Sequence, residues 1–452
     1  MDNLNFDKMG IYDLRNYARS IGVHSPTTLK RQELIACINA IIEGVKEPEK
    51  PKDGRGRPPK HKVDDMYMLD MFVPDNLFNI DPNDYRYKPF GQSNFAKSYS
   101  ATTFCQSNNI DGLDMAFDGY FVKKTENYGL ILKKGYKTEY FKENVIILKD
   151  EMEKFALKNG DFVEGACVYI KDRNLMLAKD VLKINGNEFN KLERQTFENL
   201  KIQYPSKMID LSVDNNYINA KIINKICPVA FGGRVAINFD RTDEHVDFIG
   251  TLLNSIEKNN VTVSMISVDD SIEDIVAVES LCSNLNVCKY NSTLSREQYF
   301  EKIDLLFENM CRRIECGQNV VAVIYDCQNL LENIQNDIAL KMKYDIETAM
   351  IYAENKLKDL FGLARATENG SLTVIGFNLQ NQKVLSVCNC QIQILGKPYS
   401  KTDVSVDVQN SYTKNVQKII SKEEFVKLQN FKNNVNEQNV LSELELLFEG
   451  EE

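Results

Sequence analysis

The sequence predicts a multidomain chain with a small N-terminal helical module, a small β-barrel and a larger α/β domain built on a parallel sheet. Three observations predict this fold class. Apolar residues recur at helical spacing before residue 45, short alternating segments begin at Gly119, and apolar strands alternate with helices after Arg234. The 452 residues, 43% of them hydrophobic, are sufficient for several folded cores.

The first 45 residues predict two short helices joined by a turn. Two sets of apolar residues recur at helical spacing: Ile11, Leu14, Ala18 and Ile21, then Leu29, Leu34, Ile35, Ile38 and Ile41. Such a pattern is typical of any small helical hairpin.

Residues 46–62 predict an extended basic linker, because proline, glycine and lysine exclude a packed core. The linker contains seven Lys or Arg residues against three acids. Its centre, GRGRPPK, looks like an AT-hook, in which Arg55 and Arg57 would lie in a narrow minor groove of AT-rich DNA. The alternative is a solvated linker that contacts phosphates without selectivity.

From Gly119 the sequence changes to closely spaced alternating segments with glycine-marked turns, which predict a small barrel. Two motifs stand out in it, GYF…NYGLIL from Gly119 to Leu132 and FALKNGD from Phe155 to Asp161. The first motif is accompanied by four lysines: Lys123, Lys124, Lys133 and Lys134.

The α/β domain begins with a buried strand at Val235–Phe239, which is followed almost at once by a helix. A nucleotide-binding protein places its phosphate loop at such a junction and needs glycines and a lysine there. This loop reads FDRTDEHV instead and carries Asp240, Asp243 and Glu244. A capping box at Ser295–Gln298 opens a later helix, and Asp326 follows a later strand.

Composition excludes several classes of protein. A net charge of −10 argues against a surface that coats nucleic acid uniformly. Eleven cysteines without CxxC spacing and three histidines predict buried, reduced thiols and no metal site. No run of 18 apolar residues and no signal segment is found, so we expect a cytoplasmic protein with no membrane partner.

Together these motifs resemble bacterial transcription termination factor Rho. The pattern of residues 9–38 resembles its N-terminal helical module, and both barrel motifs match its cold-shock-like, OB-type RNA-binding barrel. Phe197–Leu200 and Gly362–Thr373 match segments of its RecA-like, P-loop-type domain. The resemblance implies five regions: a helical module (1–45), a linker and irregular segment (46–110), the barrel (111–190), a degenerate RecA-like domain (191–420) and an acidic helical tail (421–452).

In that family two aromatic residues of the first barrel hairpin stack on the bases of single-stranded RNA. Tyr128 keeps the first position, whereas Leu130 stands at the second and Ile146 at another aromatic position. These departures predict weaker or less base-selective RNA binding. The alternative is that Tyr128 is a core residue. Basic residues are close enough in sequence to assist RNA binding: Lys123, Lys124, Lys133 and Lys134.

The resemblance also implies an ATP and Mg²⁺ site whose residues are replaced here. His245 stands at the loop lysine, Val246 at the magnesium-binding threonine and Asp326 at the acid that ends the Walker-B strand. No arginine occurs in Val384–Lys414, where the arginine finger is expected. A loop carboxylate about 5 Å from a phosphate charge would cost roughly 3 kcal/mol. We therefore expect no catalytic residues and no bound ATP. Without these partners, we expect Asp326 to be a helix cap rather than a metal ligand.

The interpretation is a Rho-like RNA-binding protein that acts in transcription termination or its regulation, without ATP-driven translocation. The competing hypotheses are an RNA-dependent ATPase that terminates transcription as Rho does, and a non-catalytic protein scaffold. The implied partners are single-stranded RNA, AT-rich DNA, RNA polymerase or Rho, and further copies of the chain in a ring. The acidic tail predicts a helix that either packs on the domain, the default, or serves for docking.

Overall fold

The computed structural model describes residues 11, 14–15, 18, 23, 29–42, 112–132, 144–170, 175–188, 194–213, 217–240, 245–268, 271–290, 295–399, 403–436 and 438–448. The chain divides into two compact units, Met1–Asp64 and Asp65–Glu452. The AT-hook-like Arg55 and Arg57, the barrel lysines Lys133 and Lys134, and the loop acids Asp243 and Glu244 lie outside the described residues.

The described part of the first unit contains the helix α1 (Arg31–Ile42). Four of the residues described before it are also helical: Ile11, Leu14, Arg15 and Ala18. Leu14, Ala18, Leu34 and Ile38 are buried together in one apolar cluster. Both predicted stripes therefore supply buried residues, while the identification of this unit with the Rho module stays a prediction.

The described part of the second unit begins with a closed five-stranded barrel, as the sequence predicts. Its strands are β1 (Gly112–Lys123), β2 (Tyr128–Leu132), β3 (Val145–Leu148), β4 (Phe162–Ile170) and β5 (Leu175–Ile184). They are ordered β3-β2-β1-β4-β5, and a parallel pairing between β3 and β5 closes the barrel. The short helix α2 (Lys149–Lys154) connects β3 to β4, and β6 (Asn187–Glu188) extends the sheet beyond β5.

The rest of the second unit is an α/β part with a parallel sheet. Its strands are β7 (Ile202–Gln203), β8 (Arg234–Phe239), β9 (Thr262–Ser267), β10 (Asn286–Lys289), β11 (Asn319–Ile324), β12 (Arg365–Thr367), β13 (Ser371–Phe377), β14 (Cys390–Ile394) and β15 (Tyr412–Thr413). The order is β10-β9-β11-β13-β8-β14-β15, and every pair from β10 to β14 is parallel. The predicted parallel sheet is confirmed, with β13 lying between β8 and β11.

Helices cover both faces of this sheet. They are α3 (Ile218–Ile226), α4 (His245–Glu257), α5 (Ile272–Leu281), α6 (Arg296–Glu315), α7 (Cys327–Met342), α8 (Ile346–Gly362), α9 (Gln382–Leu385), α10 (Lys422–Asn434) and α11 (Val440–Phe448). Short 3₁₀ turns lie at Phe197–Asn199 and Val416–Lys418. The capping box predicted at Ser295 is present at the start of α6.

Alternation along the strands divides the core into two layers. Val235 and Ile237 of β8 belong to one buried cluster, whereas Ala236 between them belongs to the other. Successive strand residues point to opposite faces, so a sheet covered on both sides needs a continuous apolar run. The tail helix α11 buries Val440 and Leu444 in the first cluster, which confirms that the tail packs on the domain.

A buried network of charged side chains, which we call the seam, connects the barrel to α6. The side chains of Asp161 and Glu315 have no exposed surface, and that of Arg194 is 6% exposed. Arg194 forms an ion pair with Asp161 and lies 3.8 Å from Glu315, while Lys158 Nζ lies 3.0 Å from Glu315 Oε2. Arg312 pairs with Glu315 from within α6.

Neutral hydrogen bonds continue the seam between the barrel and α6. Asn309 Nδ2 donates to Gly160 O at 2.7 Å, and Gln318 Nε2 donates to Asn185 O at 2.6 Å. Gly160 has φ +84°, and a Cβ at this position would lie 2.7 Å from the Glu308 backbone carbon. Glycine is therefore required for the close approach of the barrel to α6.

Candidate functional site

The candidate nucleotide site lies at the carboxyl edge of the parallel sheet, between the end of β8 and the start of α4. Asp240 follows β8 and is tied to the neighbouring strand β14. Its backbone N–H donates to Ile394 O at 2.9 Å, and its Oδ1 accepts a hydrogen bond from Gln393 Nε2 at 2.7 Å. The Asp240 carboxylate is thus hydrogen-bonded to the neighbouring strand.

His245, which the resemblance assigns to the loop lysine, opens α4 and contacts aromatic side chains. Its Nε2 lies 2.9 Å from the Tyr325 hydroxyl, and the two ring centroids are 5.8 Å apart. The Phe239 ring lies 5.9 Å from the His245 ring and stacks on Phe377. The next residue, Val246, is half-buried and packs against the core, and its side chain offers no oxygen to a magnesium ion.

Asp326 follows β11 and is the N-cap of α7. Its Oδ1 accepts a hydrogen bond from the Asn329 backbone N–H at 2.9 Å, and its Oδ2 accepts one from Asn378 Nδ2 at 2.8 Å. Both carboxylate oxygens are therefore engaged by neutral donors. This arrangement is the helix cap that the sequence favours over a metal ligand.

Replacing Asp326 with alanine should lower the free energy of unfolding by about 0.5–2 kcal/mol, since the cap of α7 is lost. Asp345→Ala at the start of α8 is the matched control, because Asp345 Oδ1 also accepts a capping bond, from Thr348 N at 2.9 Å. Urea denaturation should show the larger loss for Asp326→Ala, because its hydrogen bonds are partly buried and one of them holds the distant Asn378, whereas both oxygens of Asp345 bond the nearby Thr348 at the surface. Equal stability of Asp326→Ala and the unmodified chain would contradict a capping role.

The candidate RNA-binding face of the barrel is apolar and buried at the positions that the resemblance points to. Tyr128 is 4% exposed, Leu130 0% and Ile146 2%. Leu130 pairs with Ile146 on β3, and all five residues of β2 are buried. Base stacking needs an exposed ring face, so the assignment of Tyr128 to RNA stacking stays a prediction that mutation must test.

Of the four lysines predicted to assist RNA binding, the two that the structure describes, Lys123 and Lys124, lie at the surface of this hairpin. Lys123 Nζ pairs with Glu126 at 2.8 Å, in a contact whose side chains are 44% and 84% exposed. Lys124 is also exposed, and its backbone N–H donates to Tyr128 O at 3.3 Å. An exposed ion pair holds its lysine weakly, so both ammonium groups are accessible to an RNA phosphate.

The ten described cysteines are free thiols, and most of them are buried. Burial raises the pKa of Cys282 to about 12 and that of Cys288 to about 11. Such thiols are protonated at neutral pH and react slowly. In the described part of the chain, no three His, Cys, Asp or Glu side chains are grouped so that they could hold a metal ion. No helix of that part is both long and apolar enough to cross a membrane.

A helix-covered parallel sheet with this strand order, together with a closed five-stranded barrel, defines a multidomain protein with an α/β part and a β-barrel part. Its curated relatives are described as transcription termination factor Rho. The chain is 23% identical over 274 residues to that of Borreliella burgdorferi, covering 59% of this chain and 52% of the relative. It is 24% identical over 263 residues to that of Bacillus subtilis, covering 56% and 60%. The third, from Thermotoga maritima, is 24% identical over 244 residues, covering 52% and 56%.

The chain is therefore a divergent Rho-like protein, and it spans about half to three fifths of the length of these relatives. No family model matches it. Two solved structures align with TM-scores of 0.42 and 12% identity. One is an ATPase of a type III secretion system (56% of this chain, 77% of that one) and the other an ATP synthase subunit from Nanoarcheaum equitans (51% and 62%). A TM-score this low assigns no fold, so the fold rests on the sheet order itself.

Proposed function

We propose that this chain is a Rho-like RNA-binding protein of the cytoplasm that acts in transcription termination or its regulation, without ATP-driven translocation. The similarity to curated Rho proteins supports the link to termination. One observation supports the absence of translocation: at the carboxyl edge, His245 is hydrogen-bonded to Tyr325 and both oxygens of Asp326 are engaged.

Phosphoryl transfer depends on cations placed around the phosphates, with a lysine and a magnesium ion at the centre. Histidine is shorter than lysine and lacks its permanent charge. Val246 provides no ligand for magnesium, and both oxygens of Asp326 already accept hydrogen bonds, from the Asn329 backbone N–H and from Asn378 Nδ2. The residues present therefore do not fit a bound Mg-ATP.

The barrel (111–190) is the proposed RNA-binding region, with Lys123 and Lys124 as phosphate contacts beside Tyr128. The degenerate RecA-like region 191–420 would not move along the RNA. The protein would then act by occupying the RNA, or by assembling with RNA polymerase, with Rho or with copies of itself. Contact of Arg55 and Arg57 with AT-rich DNA remains a separate prediction. One measurement separates this proposal from the scaffold alternative. Only an RNA-binding protein is expected to have an affinity for single-stranded RNA that falls steeply as the salt concentration rises.

Calorimetry should detect no saturable binding of Mg-ATP up to millimolar concentration, with or without single-stranded RNA. The variant His245→Lys should not restore binding, since Val246 and the capped Asp326 remain. Poly(C) should stimulate no ATP turnover in either protein. Micromolar binding of Mg-ATP that is lost in Asp326→Ala would instead favour the translocase hypothesis.

A further inference from the structure

A cavity of about 470 Å³ lies at the amino-terminal edge of the parallel sheet, at the opposite end of the strands from the candidate ATP site. Arg234 is the first residue of β8 and Arg365 the first of β12, and both line the cavity. Lys414, directly after β15, lies at the same cavity. Three cations from three separate elements thus meet at one concave site.

The described residues that line this cavity include neither aspartate nor glutamate. Each cation instead contacts a backbone carbonyl. Arg234 Nε donates to Val387 O at 2.7 Å, Arg365 Nε to Leu363 O at 3.3 Å, and Lys414 Nζ to Ser386 O at 3.5 Å. Among the described residues, no carboxylate pairs with any of the three. Positive charge without a counter-ion in a concave, partly buried site attracts anions.

The cations are held in place by the surrounding fold. The Arg365 guanidinium lies 3.9 Å from the centroid of the Phe197 ring, and a cation–π contact of this kind fixes its plane. Gly232 also lines the cavity, has φ +83°, and would bring a Cβ within 2.3 Å of the Ala366 nitrogen. The cavity is therefore formed before any ligand enters.

Neutral groups beside the cations suit a nucleotide. Asn389 Oδ1 accepts a hydrogen bond from the Arg234 N–H at 2.8 Å, while its Nδ2 donates to no described residue. The Tyr204 ring, 38% exposed, lines the same cavity, and its hydroxyl accepts a hydrogen bond from Asn415 Nδ2 at 2.9 Å. Lys418 adds a fourth cation 3.9 Å from the centroid of that ring.

We propose that this cavity binds the phosphate group of a nucleotide, with Arg234, Arg365 and Lys414 as its charged ligands. Two arginine forks and an ammonium match the several oxygens of a phosphate better than a single carboxylate. The amide of Asn389 and the ring of Tyr204 are placed for the sugar and base. The volume lies within the usual range of small-ligand sites, about 300–1,000 Å³. The site is separate from the carboxyl edge and does not depend on whether ATP binds there.

The test is calorimetry on the full chain with two probes, uridine monophosphate and a short single-stranded oligouridylate, each at low and high salt. The double variant Lys414→Gln/Arg365→Gln should bind the phosphate-bearing probe at least tenfold more weakly. The matched control Lys289→Gln/Lys356→Gln removes the same charge from two exposed ion pairs elsewhere on the surface, and it should bind as the unmodified chain does. Lys414→Gln alone, at an exposed side chain, gives a smaller loss in a variant that keeps the Arg365 contact with Phe197.

Each outcome distinguishes the source of the phosphate or rejects the site. Saturable binding of the free mononucleotide, weakened in the pocket variants, identifies a nucleoside phosphate as the ligand. Binding of the oligonucleotide alone, with a salt slope reduced by about 0.7 for each cation removed, identifies the RNA backbone. If the unmodified chain binds neither probe, or if the pocket variants match the control pair, the proposal is wrong.

Discussion

Replacing Arg194 with methionine should lower the free energy of unfolding by about 3–5 kcal/mol, because it leaves a buried carboxylate without its opposite charge. Arg194 is 6% exposed, and Asp161, with which it pairs, has no exposed side-chain surface. Removing the arginine leaves the Asp161 carboxylate buried without an opposite charge at contact distance. Asn185 Nδ2 and the Lys158 backbone N–H remain as its donors, so the carboxylate stays hydrogen-bonded but not neutralised.

Urea denaturation monitored separately on the barrel and on the α/β part would measure this loss. Lys356→Met is the matched control, because Lys356 pairs with Asp304 at 2.6 Å but both side chains are more than 40% exposed. That change should cost no more than about 1 kcal/mol. The double variant Arg194→Met/Asp161→Asn should recover part of the stability, since it removes both charges. A loss for Arg194→Met as small as that of the control would contradict the seam's role.

The second large effect is expected at Tyr128. Because its ring is 4% exposed, Tyr128→Ala should cost about 3–5 kcal/mol of folding free energy, and that variant cannot report on RNA binding alone. Tyr128→Phe and Tyr128→Leu form the informative pair. Both keep most of the buried apolar volume, but only phenylalanine keeps a π-face.

If Tyr128 stacks on a base, Tyr128→Leu should weaken single-stranded RNA binding by about 1–3 kcal/mol, while Tyr128→Phe binds as the unmodified chain does. Titration of fluorescent oligonucleotides at fixed salt would measure both affinities. Equal affinities of the two folded variants would reject stacking and leave Tyr128 as a core residue. RNA contact would then depend on Lys123, Lys124 and the other basic residues.

The parallel sheet could be predicted from the sequence because its strands are covered on both faces. Val235, Ala236 and Ile237 form an uninterrupted apolar run, and such a run is what two opposed layers of helices require. The cap at Asp326 could be predicted in the same local way, since a capping side chain bonds a backbone N–H three residues on. Periodicity and caps act over short separations, so a sequence displays them directly.

Contacts between distant segments could not be predicted in this way. The Tyr325 hydroxyl reaches His245 across 80 positions, and Asn378 reaches Asp326 across 52. In the sequence, Arg194 and Glu315 read as ordinary surface charges, and only the docking of the barrel on α6 buries them. The cations Arg234 and Lys414 could not be paired from the sequence either, because no motif links them. They meet only because the sheet brings their elements together.

The helix α6 connects the seam at one of its ends to the parallel sheet at the other. Its 20 residues correspond to a rod about 30 Å long. Its last turns carry the Glu315 and Asn309 contacts to the barrel. Near its first turn the buried Tyr299 hydroxyl donates to Ser267 O at 2.7 Å, at the carboxyl end of β9. Tension exerted on the barrel by a bound polymer would therefore be borne by this stiff rod and delivered to the far edge of the sheet.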